Sequence, residues 1–192
     1  MTTHPPSILR LDPRALKILA HPLRSRLLTA LRTNGPATST ALAQALETNS
    51  GATSYHLRKL ASVGLVEETE GGRGRERPWR AATEMHGWTE GDVAGDPDAQ
   101  AATDWLRRYN LHAFIERMER WLDVQGSWPL PWQDAAGSSD FVLTLSPARL
   151  AAFNTDVQAL FERYRETPPE TAAPQEVIQV YVYAFPLERS PR

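Results

Sequence analysis

The chain contains no cysteine. That excludes disulfides, thiolate zinc sites, iron–sulfur clusters, cysteine nucleophiles and thiol redox sensing together. No apolar run approaches the ~18–20 residues needed to span a bilayer as a helix, so a membrane-spanning protein is not expected. Met1 to Pro6 holds no basic stretch followed by an apolar core, so no secretory signal is read and a cytoplasmic address is expected. Catalytic signatures are also missing. There is no G-x-S-x-G, no Walker A sequence, and no G-x-G-x-x-G set between a strand and a helix, so no enzyme and no cofactor is expected. What remains is ordinary for a globular protein: 192 residues, 41% hydrophobic and 23% charged, enough for one good-sized domain or two small ones.

The net charge of −2 hides an asymmetry. Met1 to Thr83 carries 12 Lys and Arg against 6 Asp and Glu, whereas Glu84 to Arg192 carries 9 against 17. A basic first part and an acidic second part point to a polyanionic partner for the first, with nucleic acid the commonest. The plainer alternative is two solvated surfaces of opposite sign.

Punctuation residues divide the first part into short helices. Pro13 to Ala20 reads as one helix, and Pro22 opens the next after His21. Leu23, Leu27, Leu28 and Leu31 share a face of that second helix, which Asn34-Gly35-Pro36 ends. Thr38 is a natural cap for a helix from about Ser39 to Leu46. Asn49 can cap another over about 49–63, closed by Gly64. The period then changes. Residues 65–69 are strand-like, residues 70–74 hold three glycine-rich turn positions, and Arg75 to Ala82 returns as a second strand. Pro78 suits that strand to an edge. Three helices followed by a hairpin with a basic, glycine-rich tip is a winged helix-turn-helix arrangement, assigned to 13–84 after an N-terminal tail at 1–12.

At 100° per residue, Thr53, Leu57, Leu60 and Gly64 of the third of these helices face inward. Gly51, Ser54, Tyr55, Arg58 and Ser62 face outward, and no acid accompanies them. Hydroxyls, one aromatic and one guanidinium in the first turns of a helix suit phosphates and base edges. Its N-terminus favours an anion. On the hairpin, Arg73, Arg75 and Arg77 alternate, so three guanidiniums would share one side. A surface helix that happens to lack acids, and a solubilising turn, are the plainer readings.

The stretch from about Leu19 to Ala82 resembles the ArsR-like winged helix-turn-helix transcriptional regulators. The resemblance is carried by Ala20-His21-Pro22-Leu23-Arg24, by Gly35-Pro36-Ala37-Thr38 and by Ser50 through Leu60. Gly64-Leu65-Val66-Glu67 and Gly72-Arg73-Gly74-Arg75 complete it, over about a third of the chain. It implies a homodimeric repressor of operator DNA. It further implies that Thr38, Ser50, Gly51, Ser54, Tyr55 and Arg58 contact DNA from the helix-turn-helix and Arg73, Arg75 and Arg77 from the wing over about 66–82. Trp79 departs from the pattern, standing where the wing often carries Tyr. A sharper departure is the missing cysteine, which rules out thiolate metalloid sensing. His112 and Glu116, four apart on a helix, with Asp104 as a distant third, are the remaining metal candidates. An interface histidine beside a solvated glutamate is the simpler reading, and no metal is expected. His21 reads as a helix-junction residue, and His56 as a residue at the core boundary.

Residues 85–99 read as a turn-rich linker. Gln100 to about Val124, within a segment assigned as 100–126, reads as a long helix with two apolar sides. Trp105, Leu106, Tyr109 and His112 lie on one, and Leu111, Phe114, Ile115, Met118, Trp121 and Leu122 on the other. A helix apolar on two sides is buried on two sides, so one is expected to meet a second copy. Residues 127–192 read as a C-terminal strand–helix–strand cap serving dimerisation or effector binding. Phe141–Leu145 and Val177–Phe185 are its strands, and Ser146 caps its helix, which runs to about Arg165. Residues 127–139 form an aromatic loop. Trp128, Trp132 and Phe141 are the candidate lining of a small-molecule effector pocket, with tryptophans that simply fill a core as the alternative. The expected fold class is mainly α with small β. The expected partners are double-stranded operator DNA, a second copy and an effector, with no membrane. The rival reading is a winged-helix protein-interaction module without sequence-specific DNA binding.

Overall fold

The computed structural model describes residues 8–70, 77–83, 85–167 and 174–187. The chain divides into two compact units, residues 1–112 and 113–192. The elements of the first are β1 (Ile8–Arg10), α1 (Pro13–Leu19), α2 (Pro22–Asn34), α3 (Ser39–Ala45) and α4 (Ser50–Ala61). They continue with β2 (Val66–Glu68), β3 (Trp79–Ala81), β4 (Met85–Gly87), α5 (Glu90–Val93) and the start of α6 (Pro97–Val124).

Each early helix begins where a side chain can take over an orphan backbone donor. Asp12 accepts from the Ala15 amide at 2.7 Å, Thr38 from Ala41 at 3.2 Å and Asn49 from Ala52 at 2.7 Å. His21 caps α2 with its ring, Nδ1 accepting from the Leu23 amide at 3.2 Å. That is the local bond its place before Pro22 suggests. Gly35 and Gly64 follow α2 and α4 with φ of 80° and 72°, a left-handed region glycine enters without steric cost.

Leucines from α1, α2, α3, α4 and α6 meet in one core, joined by Val93 of α5. Leu16, Leu27, Leu57, Leu60 and Leu106 are buried within it. The hairpin β2–β3 is antiparallel, with Val66 opposite Ala81 and Glu68 opposite Trp79. Trp79 is buried, and its backbone bridges to Ala37 through bonds of 3.0 and 2.8 Å. The departure at Trp79 therefore anchors the second wing strand to the turn before α3. Pro78 precedes that strand, and its carbonyl accepts from the Thr69 amide at 2.7 Å.

Two boundary readings are corrected. The segment read as an N-terminal tail contributes β1, which runs parallel to β4 with Leu9 opposite His86. Arg10 then reaches Asp92 at 2.6 Å and Thr89 at 3.1 Å. The stretch 85–99, read as a linker, is built from β4, α5 and the first turn of α6. Val93 and Ala99 are buried, and Asp96 accepts from the Ala99 amide at 2.9 Å. The Arg10 guanidinium and the Thr89 amide hold the Asp92 carboxyl well below the usual carboxylate range, at about 2.

The second unit holds the end of α6, a 3₁₀ turn (Gln125–Ser127), α7 (Leu130–Ala135) and α8 (Pro147–Glu166). Part of the expected aromatic loop is thus helical, with Pro131 in the first turn of α7, where its missing amide costs nothing. Ser146 caps α8 as read, accepting from Arg149 at 3.3 Å. The expected flanking strands differ. Residues 141–145 and 177–185 run without turn or bend, but carry no ladder among the described residues. A strand needs a partner for its backbone groups, and neither segment finds one there.

Candidate nucleic-acid interface

α4 shows the division its sequence predicts. Thr53, Leu57 and Leu60 are fully buried, and the Thr53 hydroxyl donates to the Asn49 carbonyl at 3.0 Å. Ser50, Gly51, Tyr55, Arg58 and Lys59 are exposed, with Ser54 half-buried. No acid stands on that outward face. The Lys59 ammonium lies 5.6 Å from the Tyr55 ring centre, within cation–π range. Thr38 is half-buried, with its hydroxyl engaged as the α3 cap.

The Asn49 cap sets where α4 starts and hence where its free amides point. Asn49→Ala is expected to lower stability by about 1 kcal/mol in urea unfolding. A variant as stable as the parent would show that water replaces the cap at no cost.

Beneath Tyr55 the structure assembles a cluster that sequence spacing alone does not reveal. The His21 and His56 rings lie 4.5 Å apart, and Tyr55 meets His56 edge-on at 5.2 Å. Arg24 approaches the same group. Burial pushes its guanidinium down, opposed by Tyr55. Burial and then the neighbouring Arg24 push His21 down; burial, then His21 and Arg24, do the same to His56. His56 is half-buried, as a core-boundary residue should be. The only hint in the sequence is that His21 sits at a helix start and His56 one residue from the inward face of α4.

Among the basic residues of the first unit, two arginines serve the scaffold and others stand on the wing. Arg26 donates to the Leu46 carbonyl at 3.1 Å and Arg32 to the Thr83 carbonyl at 3.0 Å, so both tie elements together. On the wing, Arg77 lies 3.8 Å from Glu68 and Arg80 2.7 Å from Glu67. Arg73 and Arg75 lie outside the described residues, so the alignment of three guanidiniums along one side is not described.

In the second unit, Trp128 meets Trp132 at 6.3 Å between ring centres and Trp121 at 5.8 Å. Phe141 is 80% exposed and joins no ring contact among the described residues. Two of the three candidate effector residues are thus brought together, with Trp121 in place of the third. His112 bonds through Nδ1 to the Arg108 carbonyl at 2.7 Å, a local helix contact. Among the described residues no three His, Asp or Glu side chains gather to hold a metal ion, and no helix is long and apolar enough to cross a membrane.

Residues 19–69, from the end of α1 through β2, match the family model of a helix-turn-helix domain. Among solved structures, the chain is similar to a homodimeric winged helix-turn-helix DNA-binding domain of Mb0332 from Mycobacterium bovis, a possible ArsR-family transcriptional regulator. Identity is 26%, over 54% of this chain and 76% of that one, with a TM-score of 0.34. A possible transcriptional regulator for arsenical resistance is 29% identical over 59% of this chain and 95% of its own, with a TM-score of 0.32. RV1404 from Mycobacterium tuberculosis is 16% identical over 83% and 85%, with a TM-score of 0.32. No curated protein matches the chain.

Proposed function

We propose that residues 19–69, which match a helix-turn-helix domain, form an ArsR-like DNA-binding domain, and that the protein is a homodimeric, sequence-specific repressor of transcription. The observation that carries this is the outward face of α4. Ser50, Gly51, Ser54, Tyr55 and Arg58 stand on it without an acid, at the end of a helix-turn-helix whose other faces are spent on the core. In this reading α4 enters the major groove, where Ser54, Tyr55 and Arg58 meet base edges and phosphates. Thr38, at the start of α3, meets the backbone. Arg73, Arg75 and Arg77 of the wing lie along flanking phosphates.

Dimerisation is supported by α6. Ala99, Ala102 and Leu106 bury one side of its first half, while Leu111, Ile115 and Leu122 leave an exposed stripe at helical spacing. Two copies would then meet half-sites about one helical turn apart. The Trp121–Trp128–Trp132 cluster is the place where an apolar or planar effector would bind and shift DNA affinity. A cytoplasmic location goes with this function.

The test is binding to a fluorescent duplex library that includes the protein's own upstream region, across a salt series. Selective binding that weakens steeply with salt is expected. With Arg73, Arg75 and Arg77 all changed to Ala, the log–log salt slope should become shallower by roughly 0.9 for each arginine that contacts phosphate. The rival reading, a protein-interaction module, draws on the pairing of Arg77 and Arg80 with Glu68 and Glu67, which leaves acids at the wing base. It predicts no selective binding at any salt concentration.

A further inference from the structure

A group of hydrogen-bond donors gathers beside the outward face of α4. His21 and Arg24 stand three residues apart at the start of α2, a spacing that puts side chains together. The His21 ring lies 4.5 Å from that of His56, and His56 meets Tyr55 edge-on at 5.2 Å. The Arg24 charge is felt by His21, His56 and Tyr55 alike, so the guanidinium lies among all three.

The three arginines of α2 are used differently. Arg26 and Arg32 are bonded to the Leu46 and Thr83 carbonyls. Arg24 is half-buried, and its Nε is buried without a hydrogen-bond partner among the described residues. No carboxylate there offsets its charge. A guanidinium stays charged at every working pH, so burial without a counter-charge is costly. The neighbours are donors too. His21 Nδ1 accepts from the Leu23 amide at 3.2 Å, so the neutral ring carries its proton on Nε2 and offers it outward. Tyr55 brings a hydroxyl on a side chain 51% exposed, and the Lys59 ammonium lies 5.6 Å from its ring. His56 Nδ1 is a second buried nitrogen without a partner among the described residues.

A guanidinium, an imidazole N–H and a phenol with no acid among them fit an oxyanion with several acceptor oxygens. Tyr55 belongs to the face of α4 that the proposed function lays in the major groove. The oxyanion that docking brings to this place is a phosphate of the DNA backbone. We propose that Arg24, His21 and Tyr55 close on one backbone phosphate in each half-site, with His56 as the ring that holds α2 and α4 together beneath it. The inference rests on the DNA-binding reading above and adds a contact from α2 to those of α4 and the wing. Such a contact fixes the register of α4 in the groove without reading a base.

Arg24→Gln should lower affinity about tenfold for operator and scrambled duplex alike. The log–log salt slope should become shallower by roughly 0.9, and Arg24→Lys, which keeps the charge, should restore most of it. Arg14→Gln, at an exposed arginine of α1, controls for lost charge alone and should leave the slope in place. Far-UV circular dichroism and urea unfolding establish that the variants are folded. Duplexes carrying one neutral methylphosphonate at a time locate the partner. At one position per half-site the parent should lose what Arg24→Gln loses, and the variant should lose nothing more.

A further readout uses the parent chain and does not depend on any variant folding. In the free chain burial, Arg24 and the two rings' effect on each other favour neutral imidazoles. A phosphate beside them favours the protonated form. The His21 and His56 resonances, followed by NMR across pH, should therefore titrate at higher pH with duplex bound than without it. Titrations that duplex does not move overturn the proposal. Resonances that respond to inorganic phosphate and not to duplex assign the site to a free anion, which also overturns it. A parent with no selective DNA binding overturns the DNA-binding reading and this inference together. A parent that binds selectively, matched by Arg24→Gln in affinity and salt slope, overturns this inference alone.

Discussion

Alanine at Arg58 is expected to weaken binding to the selected operator by about 1–3 kcal/mol, while binding to scrambled duplex changes far less. Arg58 is exposed on α4, and its guanidinium makes no ion pair among the described residues. It is therefore available for bidentate contact with a guanine edge, which needs both donors of the fork. Nothing in the core depends on it, so the thermal midpoint should move little. Arg26 and Arg32 provide the contrast. Their guanidiniums are engaged with the carbonyls of Leu46 and Thr83, so Arg26→Ala should cost stability and leave the choice of base pair alone. Measured side by side, Arg58→Ala should relax the preference at one base pair of each half-site. An equal loss on operator and scrambled DNA would reduce Arg58 to a phosphate contact.

What could be read from the sequence was what depends on neighbours along the chain. The caps at Thr38, Asn49 and Ser146 each bond an amide three residues on, so residue type and position suffice to identify them. The inward face of α4 follows from helical geometry, and Thr53, Leu57 and Leu60 are buried as that geometry requires. Contacts between distant residues were not legible. β1 is three residues long, too short to show a period, and pairs with β4 across more than seventy residues. α5 is a single turn held by Asp92, whose partner Arg10 lies at the other end of the unit. The His21–Arg24–His56 group joins α2 to α4 through side chains whose own segments give no sign of one another. The flanks of α8 alternate and are rich in β-branched and aromatic residues, which predicts strands. Propensity, however, says nothing about which edge such a strand will meet.

The first unit should be acid-labile through His86, by more than its carboxylates alone would account for. Arg32 Nη1 donates to His86 Nδ1 at 2.8 Å, which requires the neutral ring with its proton on Nε2. Burial first, and the Arg32 charge second, push the histidine down to about 3. An unfolded chain binds a proton at this residue near pH 6.5. The folded pKa is thus the lower one. The stabilisation is complete above about pH 6.5 and is lost as pH falls toward 3. Between pH 6.5 and 4.5 the loss from this one residue should be about 2–3 kcal/mol, since the proton excess of the unfolded state rises from about one half to nearly one across that window. His86 sits in β4 opposite Leu9, so the effect should reach the β1–β4 pairing before the helices. Urea unfolding of the parent and of His86→Gln at pH 7.5 and 4.5 isolates the term, because the other histidines and the carboxylates are common to both. Glutamine keeps an acceptor for Arg32 and does not titrate. The parent should lose about 2–3 kcal/mol more than the variant on acidification. Equal losses would mean that the protonated ring finds room in the fold, and that Arg32 does not hold His86 neutral.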